Sequence, residues 1–171
     1  LQIINDILVL SELDSNGNTF NPENCDFAQG FTLLCKSLEQ RVSEPSVKFI
    51  TENPYSSLMV NIDKGRISQV ITNFLTNSVK YTHEGHIKLG YIVKDNGLRI
   101  YCEDTGSGIP KDKLEKIFER FFKVNEYIQG AGIGLSICKA IVNKCKGKIG
   151  VESEEGKGST FWIWVPCEIF M

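Results

Sequence analysis

Asn73-Phe74-Leu75-Thr76-Asn77 is the first of four short blocks whose fixed order decides the fold of this chain. The others are Asp104-Thr105-Gly106-Ser107-Gly108, then Gly130-Ala131-Gly132-Ile133-Gly134-Leu135, then Gly156-Lys157-Gly158-Ser159-Thr160-Phe161. Each block taken alone is common in proteins. Together they supply a metal ligand, a group that can read a base and a cradle for phosphate, which are the parts of a site for a nucleotide and its metal.

Length and composition indicate one ordinary globular domain. The 171 residues are enough to bury one core, and the formal net charge of -2 gives no basic surface of the kind that binds nucleic acid. No apolar run approaches the roughly 18 residues of a membrane-spanning helix. The six cysteines form no C-x-x-C pair, which argues against zinc and favours reduced thiols. Leu1 opens inside an apolar helical pattern, so we expect a piece of a longer protein.

Hydrophobic periodicity predicts helices, two of which follow an aspartate that can cap them, Asp26 and Asp63. The predicted helices cover residues 27–42, 64–81, 111–118 and 132–146, with a further apolar helix at 1–13. This last segment is either a docking helix of the domain or the tail of a long dimerisation helix. The second interpretation is favoured because the pattern starts in its middle.

Short alternating segments predict strands. They cover residues 47–51 and 57–61 around Pro54, 86–94 and 98–104 around Asp95-Asn96-Gly97, and 148–153 and 160–166 around the fourth block. Three main helices combined with hairpins predict an α+β fold, a two-layer α/β sandwich. We expect a mixed β-sheet with about three helices on one face, plus the N-terminal helix fragment.

The first block places Asn73, Asn77 and Lys80 at three- and four-residue steps on one helix, so their side chains can point at one place. Asparagine is a poor residue for a helix interior, and its amide oxygen suits a hard ion such as Mg2+. Lys80 adds a cation for phosphate. The alternative is a polar stripe that faces solvent.

The second block begins with a carboxylate in a core position. Alternation along the strand points Leu98, Ile100, Cys102 and Asp104 to one face. A buried carboxylate is costly unless paired, and the exocyclic amino group of adenine would satisfy it. We expect Gly106 and Gly108 to let a base lie against the backbone. The alternative is an ordinary Asp-Gly turn.

The third block opens a helix with free amides that favour phosphate, but its spacing fits neither standard phosphate-binding motif. The alternative is a flexible hinge before a core helix. Phe118 and Phe122 are expected to pack in the core and to anchor a mobile lid over residues 119–129. Arg120 and Lys123 either reach phosphate or are simply solvated.

These blocks together resemble the catalytic, ATP-binding domain of sensor histidine kinases, within the superfamily that includes gyrase-type ATPases. Residues 73–82 resemble the N box, 115–122 the phenylalanine box, and the second, third and fourth blocks the three glycine boxes. Leu1 to Gly17 is similar to the end of the second dimerisation helix, through Ile4-Asn5-Asp6-Ile7-Leu8. The resemblance implies two units, residues 1–17 and the ATP-binding catalytic domain at 18–171.

The resemblance also implies residue roles. Asn77 is the Mg2+ ligand with Asn73 beside it, Lys80 contacts phosphate, and Asp104 reads adenine. Asn73, Asn77 and Lys80 are then the catalytic residues. The implied contacts to ATP and Mg2+ come from Asn73, Asn77, Lys80, Tyr81, Asp104, Gly106, Gly108, Ile109, Lys123, Gly130, Gly132, Gly134, Leu135, and Ser159 or Thr160.

The function implied is transfer of the γ-phosphoryl group of Mg-ATP to a histidine on an upstream helix. Position 73 carries Asn where the gyrase-type branch has a Glu that activates water, and an amide cannot act as a general base. The expected partners are that phosphoacceptor helix, a response regulator receiver domain and a second copy in the full-length dimer. The expected location is the cytoplasm, with membrane attachment only through a separate sensor region. The alternatives are a non-catalytic nucleotide sensor and a gyrase-type ATPase.

Overall fold

A computed structural model describes residues 20–119 and 134–170 of the chain. Its helices are α1 (Phe27–Glu39), α2 (Lys64–Tyr81) and α3 (Gly134–Lys144), with a single 3-10 turn at Lys111–Lys113. Its strands are β1 (Glu23–Asp26), β2 (Val47–Glu52), β3 (Met59–Ile62), β4 (Gly85–Lys94), β5 (Gly97–Asp104), β6 (Lys148–Glu154), β7 (Gly158–Pro166) and β8 (Ile169–Phe170).

The main sheet has five strands in the order β2-β4-β5-β7-β6. Only the β2–β4 pair is parallel among the described strands; β4–β5, β5–β7 and β6–β7 are antiparallel. Helices α1, α2 and α3 pack on one face of this sheet, where the inward residues of β4, β5 and β7 are fully buried. The predicted two-layer α+β sandwich with a mixed sheet is confirmed.

A second, smaller sheet was not predicted from the sequence. It has three antiparallel strands in the order β1-β3-β8. The stretch around Pro54 was expected to join neighbouring strands, but it links two different sheets, because β2 pairs with β4 and β3 pairs with β1 and β8. Strand β8 has only two residues, too few to show an alternating pattern.

The helix caps follow the predicted chemistry. Asp26 accepts a hydrogen bond from the Gln29 amide, and Asp63 accepts one from the Arg66 amide, both at 3.2 Å. The predicted helix at 111–118 is wrong, because the helical segment is one 3-10 turn followed by other turns. Pro110 stands at its cap position and offers no side-chain hydrogen bond to the first amides.

The turn between β4 and β5 fixes the register of the central strand. Asp95 and Asn96 both have positive φ angles, of 49° and 56°, which is the geometry of a two-residue hairpin turn whose twist matches its strands. Lys94 consequently pairs with Gly97, and the register continues to Ile87 opposite Asp104. The hairpin therefore sets which residue ends β5 on the buried face.

Two predicted features lie outside the described residues: the apolar helix at 1–13 and the lid over 119–129, of which only Glu119 is described. No described helix is both long and apolar enough to cross a bilayer.

Candidate functional site

Asp104 is the centre of the candidate site. It is the last residue of β5, the middle strand of the sheet, and it lies opposite Ile87 of β4 and Ser159 of β7. Its side chain is only 6% exposed. Among the described residues it is the only buried carboxylic acid, as its place in the strand alternation predicted.

Three hydrogen-bond donors hold this carboxyl group, and they come from three parts of the chain. The backbone amides of Gly106 and Ser159 donate to Oδ1 at 3.0 and 3.3 Å. The Ser78 hydroxyl on α2 donates to Oδ2 at 2.9 Å. The protein itself therefore satisfies much of the carboxylate, so a base is not needed to offset its burial.

Burial raises the pKa of the Asp104 carboxyl above its ordinary value. The hydrogen bonds from Gly106, Ser78 and Ser159 lower that pKa and offset part of the effect, while the neighbouring Glu103 charge raises it further. Any interaction that needs the ionised form is therefore present above this raised pKa and is lost as the pH falls through it.

Gly106 and Gly108 meet protein backbone rather than open space. A Cβ atom on Gly106 would overlap the Tyr81 carbonyl at the end of α2, and one on Gly108, whose φ is +68°, would overlap the Glu154 carbonyl. The Gly156 amide also donates to the Ser107 carbonyl at 2.7 Å. Glycine is therefore required at both positions by close approach between parts of the protein, and contact of a base with this backbone stays a prediction.

Ser153 ties the same two loops together through its side chain. Its hydroxyl accepts a hydrogen bond from the Ile109 amide at 2.8 Å and donates to the Gly158 carbonyl at 2.9 Å. It also lies 2.7 Å from the Ser159 hydroxyl. Ile109 is buried, so the turn after Asp104 is fixed from both sides.

Helix α2 presents the other predicted site residues. Asn73 and Asn77 are half-buried one turn apart, Lys80 is exposed, and Tyr81 is half-buried with a pKa that burial raises. The Ser107 amide donates to the Tyr81 carbonyl at 3.1 Å, which fastens the Asp104 turn to the end of this helix. The first two blocks are therefore brought together, as the sequence predicted.

Asn73 also connects α2 to the start of α3. Its Nδ2 atom donates to the Gly134 carbonyl at 3.2 Å, which leaves the amide oxygen as the group that Asn73 can offer to a cation. Gly134 and Leu135 are half-buried, and Leu135 packs against the core. The remaining predicted contacts at Lys123, Gly130 and Gly132 lie outside the described residues.

The structure separates Ser159 from Thr160. Alternation along β7 puts Ser159 on the buried face beside Asp104, while Thr160 points to the face of the sheet that no described helix covers. Of the two residues left open by the sequence, Ser159 lies beside Asp104 and Thr160 lies on the other face, because adjacent residues of a strand point to opposite faces. Contact of either residue with a nucleotide stays a prediction.

Two residues of the site escaped the sequence reasoning. Ser78 occupies a fully buried position on α2, among apolar residues. A small polar residue within an apolar helical stripe, facing a buried aspartate, was the available signal. Thr105 is the second such residue: its hydroxyl accepts a hydrogen bond from the His86 amide at 2.9 Å and anchors the turn to β4.

The arrangement combines an acceptor buried at the end of the central strand with amide oxygens and a lysine on the adjacent helix. The buried carboxylate can bind a flat donor-bearing group, and the helix can bind a metal ion and anionic oxygens. The two functions meet where the Asp104 turn is fastened to the end of α2.

Comparison with known proteins places this site in a family. Residues 62–169 match the family described as "Histidine kinase-, DNA gyrase B-, and HSP90-like ATPase". The sensor protein kinase WalK of Staphylococcus epidermidis is 33% identical over 177 aligned residues, covering 99% of this chain and 28% of that protein. WalK of Staphylococcus haemolyticus is also 33% identical, with 99% and 29% covered. The chain thus spans less than a third of the length of these curated relatives.

Solved structures give the same result for the fold. Full-length ShkA in complex with AMPPNP superposes with a TM-score of 0.87 at 27% identity, covering 99% of this chain and 36% of that one. The Acinetobacter baumannii histidine kinase AdeS gives 0.79 at 25% identity, with 96% and 77% covered. The nucleotide-free catalytic domain of histidine kinase ThkA gives 0.74 at 28% identity, with 85% and 95% covered.

The contact between the two glycine loops is testable with a matched pair of alanine variants. Gly108 and Gly156 both have positive φ, but a Cβ atom would meet the Glu154 carbonyl at Gly108 and nothing within 4 Å at Gly156. Gly156→Ala should cost about 1 kcal/mol of unfolding free energy from backbone conformation alone. Gly108→Ala should cost at least about 2 kcal/mol more. Urea unfolding monitored by tryptophan fluorescence compares them, and equal losses would contradict the loop packing.

Proposed function

The chain belongs to the family of histidine kinase-, DNA gyrase B- and HSP90-like ATPases, and we propose that it is the ATP-binding catalytic domain of a sensor histidine kinase. In this proposal it binds Mg-ATP and presents the γ-phosphoryl group to a histidine on a separate helix of the parent protein. The likeness to WalK over nearly the whole chain supports the kinase branch of the family.

The observation that carries the proposal is the buried carboxylate of Asp104. Both of its oxygens accept hydrogen bonds from the protein, yet a carboxylate has about four acceptor positions and three are used. The remaining position suits the exocyclic amino group of adenine. A carboxylate held in this way supports a base-reading role better than a role in the core, where an apolar residue would serve.

The residues of α2 fit a magnesium ion and phosphate oxygens. Asn77 offers an amide oxygen one turn from that of Asn73, and Lys80 extends from the next turn. The bond from Asn73 to Gly134 orients one amide and ties α2 to α3. Asn77 would hold Mg2+ with Asn73 beside it, and the ion would neutralise charge on the transferring group.

In the proposed reaction the chain contributes position and charge rather than a covalent step. Asp104 and the turn after it would hold the base, and the α2 side chains would hold the phosphates in position for transfer. Asn73 cannot accept a proton as a general base, which supports transfer to a histidine rather than to water.

The same proposal implies a phosphoacceptor, partners and a location for the parent protein. The phosphoacceptor would be a helical histidine elsewhere in the parent chain, since His83 is exposed on the loop after α2 and His86 lies within β4. The partners would be that helix, a response regulator receiver domain and a second copy of the parent. In this proposal the domain lies in the cytoplasm, and a separate sensor region of the parent protein attaches it to the membrane.

Substitution of Asp104 tests the proposal. Asp104→Asn keeps an oxygen for the two backbone amides and lets the Ser78 hydroxyl reverse to accept from the new amine, so the domain should stay folded. That amine would then face the amine of adenine. Calorimetric titration with ADP and Mg2+ should show an affinity loss of about 2 to 4 kcal/mol.

Glu103→Gln is the matched control, because it removes the neighbouring carboxylate from the opposite face of the same strand. It should leave ADP affinity within about twofold of the unmodified chain. An Asp104→Asn variant that binds ADP equally well would refute the assignment of Asp104 to the base.

The magnesium role is tested by Asn77→Ala, with Asn143→Ala on the exposed face of α3 as the control. The unmodified chain should bind ATP more tightly with Mg2+ than with EDTA. Asn77→Ala should lose most of that difference while keeping binding in EDTA, because Asp104 still holds the base. Asn143→Ala should behave like the unmodified chain. If Asn77→Ala retains the full Mg2+ effect, the ion is held by other residues.

A further inference from the structure

Ser78 donates a hydrogen bond to Asp104, and the proposed function so far gives Ser78 no role. It lies on α2 directly after Asn77 and its side chain is fully buried. Its Oγ atom is 2.9 Å from Asp104 Oδ2 and 3.4 Å from the sulfur of Cys102. A hydroxyl group between a thiol and a carboxylate needs a defined direction for its single proton.

The unequal acceptor strengths of its two neighbours set that direction. Burial raises the pKa of Cys102 to about 12, so the sulfur keeps its proton and can act as a weak donor. Ser78 then accepts from Cys102 and donates to Asp104. Its hydroxyl proton goes to Oδ2, because a carboxylate oxygen is a much stronger acceptor than the other neighbour of this hydroxyl, the weakly accepting sulfur of Cys102.

The direction of this bond shows which acceptor positions of the Asp104 carboxylate are already used. Oδ1 accepts from the amides of Gly106 and Ser159, and Oδ2 accepts from Ser78. About one acceptor position is left, and it is on Oδ2. A proton placed on Oδ2 would have to compete with the Ser78 hydroxyl for space and for lone pairs. Ser78 therefore favours the form of Asp104 that can only accept.

We propose that Ser78 is a positioning residue for base selection, which holds Oδ2 of Asp104 as an obligatory acceptor. A base with an exocyclic amino group is then accepted. Hypoxanthine, which carries a carbonyl group in that place, is rejected because a carbonyl oxygen would face a carboxylate oxygen. This inference rests on the proposed adenine-nucleotide site and names the residue that sharpens its selectivity.

The proposal gives a pH signature. Few groups face Asp104 from the elements around it: Ser78 from α2, Ile87 from β4, Cys102 and Glu103 from β5, the Gly106 amide from the following turn and the Ser159 amide from β7. Glu103 lies 3.2 Å from His86 Nε2. Effects of this neighbouring pair cancel when Ser78 variants are compared with each other at each pH.

The experiment measures ADP and IDP affinity, with Mg2+, for the unmodified chain, Ser78→Ala and Ser78→Cys between about pH 4 and pH 8. Loss of a hydrogen bond to a charged group should raise the Asp104 pKa. The pH limb, meaning the pH below which ADP affinity falls, should therefore move up by about one pH unit in Ser78→Ala. Since a protonated Asp104 could donate to the hypoxanthine carbonyl, the preference for ADP over IDP should fall about tenfold at pH values between the limb of the unmodified chain and that of Ser78→Ala.

The controls separate a selective role from a packing role. Thr72→Ala removes another α2 hydroxyl, which bonds the Ser68 carbonyl at 2.8 Å, and should move neither the pH limb nor the preference. Ser78→Cys keeps a side chain of similar volume with a weaker donor, so its pH limb should fall between those of serine and alanine. If Ser78→Ala fails to fold, Ser78→Cys gives the answer alone.

The outcomes distinguish the two levels of the argument. If the unmodified chain binds neither nucleotide, the proposed function and this inference fall together. If it binds ADP but the Ser78 variants keep its pH limb and its ADP preference, the inference is overturned while the proposed function stands. A shifted pH limb with a reduced ADP preference supports the role of Ser78.

Discussion

The carboxyl group of Asp104 needs three donors from three parts of the chain, and the elements around it are placed to supply them. A charge at the end of the central strand is costly unless it is hydrogen-bonded. Helix α2 provides a hydroxyl, the following turn an amide and β7 another amide. The hairpin at Asp95-Asn96 fixes the register of β5 against β4, and the pairing of β5 with β7 brings Ser159 opposite Asp104. The site is thus a consequence of how the sheet pairs.

Backbone contact between loops gives this arrangement its rigidity. The turn after Asp104 meets the end of α2 at the Tyr81 carbonyl and the β6–β7 turn at the Glu154 carbonyl, and glycine is required at both contacts because a side chain would not fit. Ser153 closes the same junction with a hydroxyl group. The proposed base-reading and metal-binding groups are linked through α2, which carries both Ser78 and the proposed magnesium ligand Asn77.

Local patterns predicted the parts of the structure that depend on neighbouring residues. Aspartate caps and hairpin turns depend on a few adjacent residues, so α1, α2 and the β4–β5 hairpin were predicted closely. The alternation along β5 correctly predicted that Asp104 lies in the core. The small sheet was missed because β1 and β8 are short and find partners far along the chain. The backbone contacts at Gly106 and Gly108 were also missed, because a sequence does not show which backbone approaches a glycine.

The central claim is that Asp104 is ionised, buried and able only to accept. Carbon-13 NMR of its side-chain carboxyl group, followed while ADP or IDP is added with Mg2+ at neutral pH, tests this most directly. The account predicts an ionised signal without nucleotide, a clear change on adding ADP, and little change at the same concentration of IDP. A signal typical of the protonated acid, or an equal response to both nucleotides, would contradict it.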